Sequence, residues 1–179
     1  MNAMVFLIST IFNLYLMVVL LRFWLQLSKA DFYNPLSQFV VKATHPVIGP
    51  MRRIIPSVGS IDVATLILAL LVAMGKYLAL SLLLGGNINP LGMIIIGALS
   101  VLKEFLTLVF WVLIMRAILS WVSQGGSPFE YVLHQLTEPL LSPIRRVLPP
   151  MGGMDLSVLV AIIGLKFVEM LLADFLPFY

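Results

Sequence analysis

Two adjacent arginines, Arg52 and Arg53, stand in the stretch PMRRIIPSVGSID that begins at Pro50, and a second pair, Arg145 and Arg146, stands in PIRRVLPPMGGMD beginning at Pro143. A guanidinium is a planar fork of N–H donors that stays charged and matches phosphate or carboxylate oxygens two at a time. The chemistry on offer is therefore anion recognition, either of lipid phosphates or of an acidic partner. The plainer reading is that the arginines only anchor loops on one side of a membrane. Anchoring tolerates arginine anywhere in a loop, so a pair repeated in the same proline frame favours a site. Nucleic acid is not an expected partner, because no aromatic residues for base stacking are interleaved with the basic ones.

A second set of charges, Lys76, Lys103, Glu104, Lys166 and Glu169, interrupts otherwise apolar runs. An ionisable residue in a span costs at least ~2.5–3.5 kcal/mol at mid-depth, so it faces a partner or water. Lys166 and Glu169 are three apart and can pair on one helix face. Lys76 is expected opposite Glu104 or Glu169, across the interface between two halves of the chain. A transport protein would use such groups as a polar path, but structural pairing is the simpler expectation. His45 and His134 offer little for metal binding. Glu130 and His134 make a two-ligand fragment, and there is neither cysteine nor an HExxH motif. No nucleophile, base and orienting group can be assembled, so neither an enzyme nor a cofactor is expected.

The elements that hold these residues follow from composition. Of 179 residues, 61% are hydrophobic and only 11% charged, against about 25% charged in soluble domains. Lipid is the remaining solvent, and it needs about 20 apolar residues per helical span. Four runs qualify, predicting transmembrane helices at about 4–25, 62–84, 93–122 and 155–176. Leu91–Val122 would reach about 48 Å as one helix, so it must tilt, protrude or break, with Gly97 and the Lys103-Glu104 pair as places for a break. The N-terminal run has no basic flank or cleavage site and reads as a retained helix. Lysine and arginine cluster in the loops after the first and third spans, which puts those loops in the cytoplasm and both termini outside.

The chain is also a duplication. Thr44–Asp62 over Thr137–Asp155 gives eight identities in nineteen positions and seven apolar exchanges. Asn34-Pro35 aligns with Ser127-Pro128 at the same offset, and Arg22 with Arg116 after a one-residue slip. Residues 1–84 and 91–179 are thus two repeats joined by a turn at 85–90. Two spans per repeat return the chain to its starting side, so the repeats are parallel. The expected fold is an all-α membrane protein of two helix–loop–helix repeats, each loop with a short amphipathic interfacial helix, at about 35–45 and 128–137. Asn34 and Ser127 serve as N-caps with proline following, and Asp62 and Asp155 cap the second and fourth spans. Beyond each short helix, Pro46, Pro50 and Pro56, matched by Pro139, Pro143 and Pro149, predict a stiff irregular connector with one helical turn.

The two proline-framed segments, Pro46–Pro56 and Pro139–Pro149, each followed by glycine and an aspartate that opens an apolar helix, resemble the YggT family. The resemblance covers nearly the whole chain, and the double copy is most similar to proteobacterial inner-membrane members. It implies no enzymatic activity, catalytic residues or ligand residues. It does imply osmotic-stress tolerance linked to potassium supply, membrane organisation around cell division and, in plastids, cytochrome assembly. The expectation is a multi-pass inner-membrane protein whose basic loops organise lipid or a membrane complex, with other membrane proteins or its own copies as partners. The competing expectation is a cation transport or channel component.

Overall fold

In the computed structural model, which describes residues 2–86, 88–122, 126–148 and 156–176, six helices follow one another. They are α1 (Ala3–Leu27), α2 (Pro35–Ile54), α3 (Val63–Leu84), α4 (Pro90–Val122), α5 (Pro128–Val147) and α6 (Leu156–Phe175). α1, α3, α4 and α6 are long and apolar enough to cross a membrane. The described residues form no strand, only a bridge between Val58 and Ile61 across a turn at Gly59. The fold is the expected all-helical one.

Local chemistry sets most boundaries. The Asn34 side chain accepts the Leu36 N–H at 3.0 Å and Ser127 Oγ accepts the Glu130 N–H at 3.1 Å, each with proline at the first helical position. Asp62 accepts the Thr65 N–H at 3.3 Å to open α3, and Gly85, at φ 67°, closes it. The Asp155 cap and Pro149 lie outside the described residues.

The elbows depart from expectation. α2 does not stop at 45 nor α5 at 137; each runs ten residues or so further, through Pro46 and Pro50 or through Pro139 and Pro143. A proline inside a helix frees the carbonyl four residues earlier. Because these prolines are four apart, they and the carbonyls they free share one stripe, and Lys42, Pro46 and Pro50 are all exposed. Water at that face can satisfy the freed carbonyls. The opposite stripe (Ser37, Val40, Thr44, Ile48) stays buried and holds the helix down. α5 repeats the pattern with Val132, Leu136, Thr137 and Leu141.

Each repeat packs alike: α1 against α2 and α3, α4 against α5 and α6, with α2 on α3 and α5 on α6. Between repeats, α1 meets α4, α2 meets α5, and α3 meets α4. α6 has no comparable contact with α1 among the described residues. The elbows are tied by the Asp31 N–H, which donates to Gln135 Oε1 at 2.9 Å, and by the Asn34 amide, which donates to the Pro128 carbonyl. The core runs from Leu16, Val19 and Leu20 through Ala69 and Ala73 to Leu113 and Leu136. Outward-facing Phe6, Ile11, Leu82, Ile163 and Phe167 are more than half exposed, an apolar surface suited to lipid and not to water.

α4 is a single helix of 33 residues, about 50 Å long. Gly97 is not a break. A Cβ there would lie 3.1 Å from Met74 Cγ and 3.3 Å from Leu70 Cδ1, so the glycine lets α3 approach α4. Gly97→Val is expected to force these helices apart and lower stability by about 1–3 kcal/mol. Gly164→Ala, with nothing within 4 Å of the added carbon, should leave it unchanged; thermal unfolding in detergent measures both.

Candidate functional site

The arginines that precede the two elbows lie in the last turns of α1 and α4, Arg22 buried and Arg116 largely covered. Arg22 is 3% exposed. It donates through Nη1 to Thr44 Oγ1 at 2.7 Å and to the Val41 carbonyl at 3.3 Å. Thr44 in turn donates to the Val40 carbonyl at 2.7 Å. In the second repeat Arg116 donates to Thr137 Oγ1, and Thr137 donates to the Leu133 carbonyl at 2.7 Å. A hydroxyl can accept from a cation while donating to a backbone oxygen. Each span is therefore fastened to its elbow by a guanidinium held on a threonine.

The two arginines of each pair then part company. Arg52 binds the Asp62 carboxylate and the Gln26 side chain. Asp62 also accepts from the Thr65 hydroxyl and N–H. Arg145 binds both oxygens of Glu138 at 3.0 Å, and the same carboxylate lies 3.5 Å from Arg116 and 3.4 Å from His134. Arg53 and Arg146 are exposed, and neither has a hydrogen bond or ion pair among the described residues. Beside them stand Ile54, 85% exposed, and Val147, 79% exposed. Each elbow helix thus ends on an exposed guanidinium beside an exposed aliphatic side chain, next to an arginine tied to a carboxylate.

The family model for CCB3/YggT matches residues 1–83 and 95–176, nearly the whole chain in two segments. An uncharacterized protein encoded in the proC 3′ region of Vibrio alginolyticus is 58% identical over 97% of this chain and 95% of its own length. The uncharacterized protein YggT of Escherichia coli K12 is 50% identical over 98% and 92%, and an uncharacterized protein of Pseudomonas aeruginosa is 44% identical over 97% and 89%. The chain belongs to the CCB3/YggT family. No solved structure matches it.

A further set of charged residues in this YggT-family chain lies within the spans. Lys166 pairs with Glu169 at 2.7 Å and stands 4.3 Å over the Phe110 ring. Lys76 makes no ion pair with Glu104 or Glu169. It donates to Asn13 Oδ1 at 3.0 Å and lies 5.3 Å from the centre of the Tyr77 ring. The reason is packing: α1 and α3 pack face to face, which brings the Asn13 amide beside the ammonium. Tyr77 bonds Ser100 at 2.8 Å, joining α3 to α4. Glu104 is half-buried, and Lys103 lies on the exposed side of α4. No group of three metal-ligating side chains occurs among the described residues.

Sequence reasoning missed the Arg22–Thr44 and Arg116–Thr137 fastenings and the division within each pair. The first had a signal, since both partners recur in both repeats. Thr44→Val is expected to strip the buried Arg22 of an acceptor and destabilise the fold by about 2–3 kcal/mol. Thr44→Ser should restore most of that, as read by unfolding in detergent.

Burial works against the charged form of Asp62. The hydrogen bonds from Arg52 and Thr65 and the charge of Arg52 outweigh it and hold the carboxyl below its ordinary 3.8. A lowered folded value means the stabilisation is fully present above the ordinary value and is lost as pH falls through the lowered one. Wild type should lose stability through that acid window. Asp62→Asn should be weaker at neutral pH and show a shallower acid decline, measured as midpoint against pH.

Proposed function

We propose that this chain is a non-enzymatic organiser of the bacterial inner membrane, with both elbows on the cytoplasmic face and both termini outside. Arg53 and Arg146 grip anionic headgroups while Ile54 and Val147 enter the interface beneath them. The observation that carries this reading is the division of each arginine pair: the first member is tied to a carboxylate and the second is left exposed. A loop used only as a topological anchor has no need to neutralise one arginine and present the other. Sidedness is supported by the concentration of basic residues in both elbows and their absence from the turn at 85–90. A role in osmotic-stress tolerance is the physiological side of the proposal and is supported by the family resemblance.

Each basic residue at an anionic surface contributes roughly 1 kcal/mol. Replacing Arg53 and Arg146 by Gln should therefore weaken binding to phosphatidylglycerol vesicles by about 2 kcal/mol, roughly thirtyfold, without lowering the unfolding midpoint. Replacing Arg52 and Arg145 instead should lower the midpoint. Unchanged vesicle binding in the first variant, with loss of a co-purifying acidic protein, would make that protein the ligand. Labelling of cysteines placed at Ser57 and Ser142 by an impermeant reagent outside sealed cells would overturn the sidedness.

A further inference from the structure

The two repeats differ at the point where their arginines meet a carboxylate. In the second repeat Glu138 is a hub, within 3.5 Å of Arg116, His134 and Arg145. The equivalent residue of the first repeat is His45, at the same offset that relates Thr44 to Thr137. A cation-binding carboxylate is thus replaced by an imidazole. The second repeat's other elbow carboxylate, Glu130, aligns with Ser37, whose hydroxyl is fully buried and has no hydrogen-bond partner.

The first repeat's cations are correspondingly short of negative charge. Arg22 is 3% exposed, yet its direct acceptors are neutral, Thr44 Oγ1 and the Val41 carbonyl. The carboxylate whose field reaches it is Asp62, which is already bonded to Arg52 and Thr65. Buried charges are paired when they persist. Beside His45 lies a cavity of about 480 Å³ lined by Lys42, His45 and Gln38 on its polar side and by Phe32, Val41 and Pro46 on its apolar side. No carboxylate lines it. The His45 ring lies over Gly49, where a Cβ would come within 3.3 Å of it.

We infer that the first repeat binds a phosphate group at His45, where the second repeat carries its own carboxylate. Lys42 and His45 supply the donors, and Arg22, bonded to Val41 and Thr44 next to them in the chain, adds to the positive field. The chemistry is that of a phosphate anion. The apolar wall and the place of α2 at the membrane boundary favour the phosphodiester of an anionic lipid over free phosphate. The inference rests on the proposed headgroup-binding role but concerns different residues. It makes the site a property of one repeat only.

The test uses the full chain in detergent, with thermal unfolding followed as phosphatidylglycerol, phosphatidylcholine or inorganic phosphate is added. Phosphatidylglycerol should raise the wild-type midpoint saturably and phosphatidylcholine should not. His45→Glu installs the internal carboxylate. It should raise the lipid-free midpoint, an effect misfolding cannot mimic, and weaken phosphatidylglycerol binding about tenfold, the size of one lost charge-assisted hydrogen bond. Lys42→Gln, at an exposed position, should weaken binding without changing the lipid-free midpoint. Glu138→His should lower the lipid-free midpoint and create a second binding event. Unchanged phosphatidylglycerol binding in both His45→Glu and Lys42→Gln overturns the inference. Equal stabilisation by millimolar inorganic phosphate overturns the lipid as its source. If the Arg53 and Arg146 variant loses vesicle binding while these two keep it, only this inference fails; the reverse pattern leaves this site standing and removes the wider proposal.

Discussion

A guanidinium buried at the mouth of a span must be satisfied where it lies, and this requirement shapes both halves of the molecule. Arg22 and Arg116 lie more than a turn before the ends of their helices, largely covered by protein, and each finds a threonine hydroxyl on the elbow helix that crosses beneath. The hydroxyl passes the interaction on to a backbone carbonyl one turn earlier. That chain of bonds fixes the depth and rotation of α2 and α5 relative to the spans. Everything on the outer side of the elbows, prolines and second arginines included, inherits its position from it.

With the elbow fixed, the prolines acquire a use beyond stiffness. Spaced by one turn, they line up on the face away from the core and leave carbonyls there without intrahelical donors. The prolines of both helices stand on their exposed faces, where water can satisfy those carbonyls. The arginines then divide by geometry. Arg52 and Arg145 point back to carboxylates, Asp62 at the start of α3 and Glu138 two turns earlier on α5, while Arg53 and Arg146, turned by one residue, point away.

Much of the fold was legible because it rests on composition and short-range pattern. Four apolar runs, the duplicated block, the Asn34 and Ser127 caps and the Asp62 cap needed no knowledge of what lay opposite. The reading of the prolines went astray because helix-breaking rules describe a chain in isolation. The four-residue spacing of Pro46 and Pro50 was visible, but its meaning depends on which face is wet. The site was less legible still. Which arginine is neutralised depends on a partner ten residues away in one repeat and seven back in the other. The Asn13 amide that holds Lys76 sits in a run with no periodicity to mark it.

The packing between repeats is lopsided. The short turn between the repeats staples α3 to α4, whereas α1 and α6, their counterparts across the pseudo-axis, are not joined in the same way among the described residues. The two halves are therefore held more closely along their α3–α4 edge than along their α1–α6 edge.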